Sequence, residues 1–183
     1  MKIALVSPYD FGYHGGVVTH ISQLSEQLQK IGHFVKILAP LDSSSNVTQE
    51  NLIPIGRPVP VPTGGSIARI SLSIWQERRV RSILKEENFD VLHVHEPLAP
   101  ILPLSVINSS ETANVGTFHA FHGRGYMYFF SKGLMKRWFS RLDSLIAVSE
   151  PAKDYVSKAF PGPYNIIPNG IDVDFFSKNV EPF

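Results

Sequence analysis

Apolar positions along this chain recur with two different periods, and the changes between them mark its elements. Lys2–Ser7 (KIALVS) is a nearly unbroken apolar run, the pattern of a parallel strand covered on both faces. Val17, Ile21, Leu24, Leu28 and Ile31 then recur at helical spacing and predict a helix from about Val17 to Lys30. Gly32 follows where a helix C-terminus favours left-handed backbone. The run HFVKILAP is a second strand, so the opening segment is a βαβ unit with a right-handed crossover.

Further along, Leu41–Asn51 is polar and Ser-rich, a loop by composition. NLIPI is a third, short strand. RPVPVPTGG is extended but too Pro-rich for a central strand. Ser66 is expected to cap a helix running to about Asn88, with a break near Ser71–Ser73. FDVLHVHE is a fourth strand, and Pro97 suits the first turn of the helix after it. ANVGTFH is a fifth strand; Lys132–Arg141 reads as helix; DSLIAVS is a sixth strand, with Ser149 capping the next helix and Pro151 in its first turn. YNIIPNG is a last short strand ending at the turn signal Pro168-Asn169-Gly170. Strands and helices alternate throughout, which implies an α/β domain with a doubly wound, mostly parallel sheet.

Composition narrows the class. A formal net charge of +1 gives no global signal for nucleic acid, so any basic patch must be local. The absence of cysteine excludes disulfides and thiolate metal sites and fits a reducing compartment. The first apolar run is too short for a signal peptide and no run approaches bilayer length, so the expectation is cytoplasmic.

In open parallel sheets, ligands bind beyond the carboxyl ends of the strands, where strand order reverses. With the order 3-2-1-4-5, the first, fourth and fifth strands are neighbours. Gly15-Gly16, His95-Glu96 and His119 then meet at one rim. The glycine pair opens a helix whose first N–H groups favour an anion, and glycine lets a phosphate approach the backbone; the alternative is a flexible turn. His119 either offers one directed hydrogen bond to a ligand or is satisfied by backbone. His93, His95, Glu96, His119 and His122 match no strong metal motif, and no metal is expected. Arg69, Arg78, Arg79, Arg81 and Lys85 fall in one segment, either a solvated helix face or one that rests on anionic lipid. Tyr126–Phe130 with Lys132, Lys136 and Arg137 mix aromatic and basic character, either a helix start packed into the core or a membrane-facing lip.

Six stretches, SPYDFGYHGGVVTHI, GHFVKILAP, FDVLHVHEP, GTFHA, LIAVSE and IIPNGIDVDFF, together resemble the N-terminal half of a retaining GT-B glycosyltransferase of the large family of bacterial α-mannosyl- and α-glucosyltransferases. SPYDF, RPVPVPTGGSIARI and VLHVHEPLAP are most similar to its phosphatidylinositol mannosyltransferases. The resemblance implies a Rossmann-like acceptor-side domain over 1–167, the start of an interdomain crossing over 168–183, and a donor-binding C-terminal domain absent from this chain. It implies transfer of a sugar, mannose first, from a nucleotide-sugar (GDP-mannose) to a lipid acceptor such as phosphatidylinositol, with no further cofactor. Under it Gly15 and Gly16 lie against the donor, His119 is the cleft histidine that orients the sugar, and Tyr9 and Arg124 border the acceptor. Arg69, Arg78, Arg79 and Arg81 contact the membrane, placing the protein on the inner face of the cell membrane. The chain alone is expected to be inactive.

Val18-Thr19 after the glycines, Thr63, and AFHGRGYMYFF depart from the mannosyltransferase pattern and leave the acceptor open. A glucosyltransferase on another lipid and a catalytically silent membrane-binding domain are the alternatives. A dinucleotide oxidoreductase is disfavoured, because G-x-G-x-x-G is absent and Ala39-Pro40 stands where a ribose-binding acid is needed.

Overall fold

A computed structural model describes residues 1–63, 66–73, 75–119, 126–173 and 177. Seven strands form one parallel sheet: β1 (Lys2–Val6), β2 (Phe34–Ala39), β3 (Leu52–Pro54), β6 (Val91–His95), β7 (Ala113–Phe118), β8 (Ser144–Ala147) and β9 (Tyr164–Ile166). Their spatial order is β3-β2-β1-β6-β7-β8-β9. The reversal between β1 and β6 is the predicted switch point, and Val6 pairs with Val94 there.

The unbroken apolar strands are explained by what covers them. Ile3 and Leu5 of β1 pack with Val35, Ile37 and Ala39 of β2 under Val18, Ile21 and Leu24 of α1 (Gly16–Lys30). The alternate residues Ala4 and Val6 face the other way, with Leu92 and Val94 of β6, beneath Val80 and Ile83 of α2 (Gln76–Glu87) and Val106 and Ile107 of α3 (Leu102–Ser109). A third cluster joins Phe118 and Leu145 to Val156 of α5 (Glu150–Ser157), with Met135 and Phe139 of α4 (Tyr126–Phe139) against it. Ser149 caps α5 by accepting a hydrogen bond from the Ala152 amide at 3.2 Å, and Gly32 takes φ 89° after α1, both as the sequence predicts.

Two expectations fail. Ser66 does not open a helix. Ser66–Ser71 is strand β5, antiparallel to β4 (Pro58–Thr63), in a separate two-stranded ribbon. In β5 the buried Ile70 and the exposed Ile67 lie on opposite faces, a period of two rather than 3.6. The helix begins only at Gln76. Nor does Pro97 open α3, which starts at Leu102 with Pro103 in its first turn. Glu96 holds a left-handed φ of 47° and its carbonyl accepts the Ala99 amide, so the chain turns at the end of β6 before it can coil.

Candidate functional site

The ribbon matters because of where it attaches. Tyr9, just past β1, bridges to Ile70 of β5, and the Asp10 amide donates to the Arg69 carbonyl at 2.8 Å. The Asp10 carboxylate is buried. One oxygen accepts the amides of Gly12 and Asp42; the other accepts Arg69 Nε at 2.8 Å. Arg69 Nη2 reaches Asp42 at 3.0 Å. Three segments distant in sequence are thereby clamped into one wall beside the switch point. Arg69 is therefore not on a helix with Arg78, Arg79 and Arg81; it sits on β5 and its guanidinium is paired with two carboxylates.

The opposite wall is α1. Gly15 is its cap residue, and among the described residues no side chain caps the helix and no acidic residue lies in its first turn. A Cβ added at Gly15 or Gly16 would meet nothing within 4 Å. The glycines are thus not needed for packing inside this chain; they leave an open approach to unpaired N–H groups. One turn further on, His20 points from α1 toward the strand ends, its ring centroid 5.3 Å from that of His119 and 5.5 Å from that of His95.

Between the walls lie the histidines of the rim. Leu92 and Val94 of β6 take the α2 side, so His93 and His95 take the α1 side. Their rings stack at 4.4 Å. His93 Nε2 meets Thr117 Oγ1 at 2.6 Å, and His95 Nδ1 meets His119 Nε2 at 2.9 Å. The His119 amide donates to Glu96 Oε1 at 2.6 Å. Among the described residues, His95 Nε2 and His119 Nδ1 are buried without a hydrogen-bond partner. Burial, reinforced by mutual repulsion, keeps these rings neutral: His93 is pushed down to about 4, His119 to about 3, His95 well below its ordinary value. Burial lowers His20 in the same direction. The Tyr9 phenol is pushed up, first by burial and then by the Glu96 charge, so it also stays neutral.

The structure thus brings Gly15, Gly16, Tyr9, Arg69 and His119 to one rim. Arg78, Arg79 and Arg81 lie on the exposed face of α2, elsewhere on the surface. Arg124 lies outside the described residues. His20 and the Asp10–Arg69–Asp42 clamp are new. His20 stands four residues after Gly16, on the same helix face, and that spacing was the available signal. A cavity of about 600 Å³ lies at the other end of the sheet, lined by Arg81, Lys85, Asn88, Asn108 and Thr112 among others. It shares none of the rim residues.

A family model, Glycosyltransferase Family 4, matches residues 14–175. A phosphatidyl-myo-inositol mannosyltransferase of Mycobacterium tuberculosis is 36% identical over 177 residues, which are 97% of this chain and 47% of that protein. One from Propionibacterium freudenreichii is 37% identical over 84% of this chain and 42% of its own. The chain spans about half the length of these curated relatives. Among solved structures, sucrose-phosphate synthase from Thermosynechococcus elongatus superposes with a TM-score of 0.65 at 14% identity, over 94% of this chain and 49% of that one. At that identity the likeness speaks for the fold alone.

Proposed function

The chain belongs to glycosyltransferase family 4, and from that premise we propose that it is the acceptor-side half of a retaining mannosyltransferase. It would move mannose from GDP-mannose to a lipid acceptor of the phosphatidylinositol class. The observation that carries this reading is the convergence, at one rim, of the uncapped N-terminus of α1 with the imidazole of His119.

The chemistry follows from those groups. Transfer breaks the bond between the anomeric carbon and the donor diphosphate and forms one to the acceptor hydroxyl oxygen on the same face, whose proton passes to the departing diphosphate, through an oxocarbenium-like state. The departing diphosphate gathers negative charge. The N–H groups opened by Gly15 and Gly16 stabilise it without reorganising. His119, neutral at pH 7, acts as a hydrogen-bonding partner for the sugar and not as an acid. Its Nδ1 is the ring nitrogen left for a ligand, because Nε2 is engaged by His95. Tyr9, held against β5, borders the acceptor on the facing wall, and Arg124 is assigned to the lipid phosphate.

Membrane contact falls to α2. Arg78, Arg79 and Arg81 are exposed, while Val80 and Ile83 are buried. Trp75, at the helix entry, is 82% exposed and Leu72 48%. Basic residues beside exposed apolar side chains suit the headgroup boundary of an anionic leaflet. Among the described residues no helix is long and apolar enough to cross a membrane, so the association proposed is peripheral, on the inner face.

The test is a transfer assay with GDP-mannose and phosphatidylinositol vesicles. It compares this chain alone with this chain joined to the C-terminal half of the Mycobacterium tuberculosis relative. Mannolipid of retained anomeric configuration is expected from the joined protein only, and His119→Ala should lower its kcat by about 10²–10³. A folded joined protein that releases mannose from no nucleotide-sugar to this lipid would overturn the reading.

A further inference from the structure

The histidines of the rim do more than present one imidazole to a sugar. His20 from α1, His95 from the end of β6 and His119 just past β7 each offer a ring nitrogen, and the three nitrogens lie within 4.8 Å of one another. Three imidazoles from three separate elements are the donor set of an open transition-metal site, with further positions left for water. We propose that His20, His95 and His119 bind a single divalent transition-metal ion of the Zn²⁺ class at the rim of the sheet.

Four observations favour it. First, each of the three imidazoles brings one ring nitrogen as a ligand atom, and these atoms already converge from α1, β6 and the end of β7. Second, the present hydrogen bonding is incomplete. One proton at most lies between His95 Nδ1 and His119 Nε2 at 2.9 Å, and whichever ring supplies it, buried nitrogens are left bare at His95 Nε2 and His119 Nδ1. No tautomer satisfies both rings, so the cluster gives up little in exchanging that proton for a metal. Third, the supports of the cluster are rigid. His93 stacks on His95 and is itself held by Thr117 Oγ1, and the His119 backbone is held by Glu96. Such outer contacts fix ligand orientation. Fourth, His20 and His119 are only half-buried, which gives an ion a path in. The all-nitrogen set selects against Mg²⁺ and Ca²⁺, which want oxygen.

Binding stands on this geometry alone. Its consequence rests on the role assigned to His119 under the proposed function: an ion held on Nε2 of the imidazole that would meet the sugar puts positive charge beside an oxocarbenium-like state, and so inhibits transfer reversibly.

The probe is Co²⁺, followed by displacement with Zn²⁺. Titrating this chain should give one ion per chain, with the intense visible absorption of a low-coordinate Co²⁺ site. His20→Ala, at a half-buried position, should weaken binding by roughly tenfold or more. His95→Ala should abolish the band; because His95 is fully buried, its fold is checked by far-UV circular dichroism. The control is His33→Gln, which removes the ring lying 3.5 Å from the N-terminal amine and should change nothing. Binding that survives His20→Ala unaltered, or that is lost in His33→Gln instead, overturns the site. In the joined enzyme, Zn²⁺ should slow transfer and a chelator restore it. Zn²⁺ that binds without slowing transfer would remove His119 from the donor site and leave the metal site standing, so the two readings fail separately.

Discussion

An imidazole enclosed by other imidazoles has nothing to gain from a proton. His20, His93, His95 and His119 all sit below their ordinary value of 6.5, and the unfolded chain releases them to that value. Below about pH 6.5 the unfolded state therefore binds more protons than the native one, so stability rises with pH through this window and is lost as pH falls. Asp42, lowered chiefly by hydrogen bonds from Ser44, acts with the same sign but only in the carboxylate range. Thermal melts by circular dichroism should show Tm falling already between about pH 6 and pH 5, before carboxylates titrate. His93→Gln should flatten that early limb, since its lowered ring contributes there. A Tm that holds constant down to the carboxylate range would contradict the neutral cluster.

At the scale of elements, α2 separates burial from charge on one cylinder. Val80 and Ile83 anchor it to the sheet, while Arg78, Arg79 and Arg81 are exposed; Arg81 pairs with Glu77 one turn back, at 2.9 Å. Replacing all three arginines with glutamine should therefore leave Tm nearly unchanged. It should weaken sedimentation with anionic vesicles by about two orders of magnitude, at roughly 1 kcal/mol per charge. The wild-type binding should also fall steeply with added salt, and equal binding by the triple variant would remove the membrane role of the helix. The face of α2 was readable from the sequence because it repeats every 3.6 residues. The ribbon before it was not read, although a signal was present. Pro58, Pro60 and Pro62 stand two apart, so their missing N–H groups fall on one edge and leave the other free to pair with β5. Ser66 as an apparent cap, with apolar and basic residues following, masked that period. For His20 the spacing of four from Gly16 marks the helix face, but its partners come from β6 and β7, and that local pattern does not reveal a contact made across the sheet.

On the scale of the whole molecule, the two ends of the parallel sheet carry different duties. At the carboxyl ends the polar groups are left incomplete, with bare nitrogens on His95 and His119 and an uncapped helix. At the amino ends a hydrogen-bond network ties neighbouring elements together, although among the described residues Asn114 Oδ1 and Ser109 Oγ are left bare there too. Arg141 donates to the carbonyls of Ile107 and Ser110 at the end of α3, at 2.9 and 2.7 Å. Its own carbonyl accepts Asn114 Nδ2, and the Asn114 amide donates to Asp143 at 2.7 Å. The strand order that joins these ends was legible from alternation and the switch-point rule, because both depend only on which segments are apolar and how far apart they lie. The division predicts a double dissociation. Arg141→Ala strips a cation from a helix C-terminus and should cost about 1–2 kcal/mol, a few degrees in Tm, while leaving the Co²⁺ titration as it was. His20→Ala should do the reverse, with melting nearly intact and the titration weakened. If Arg141→Ala disturbs the metal titration as much as His20→Ala does, the ends are coupled through the sheet and the rim is not an independent site.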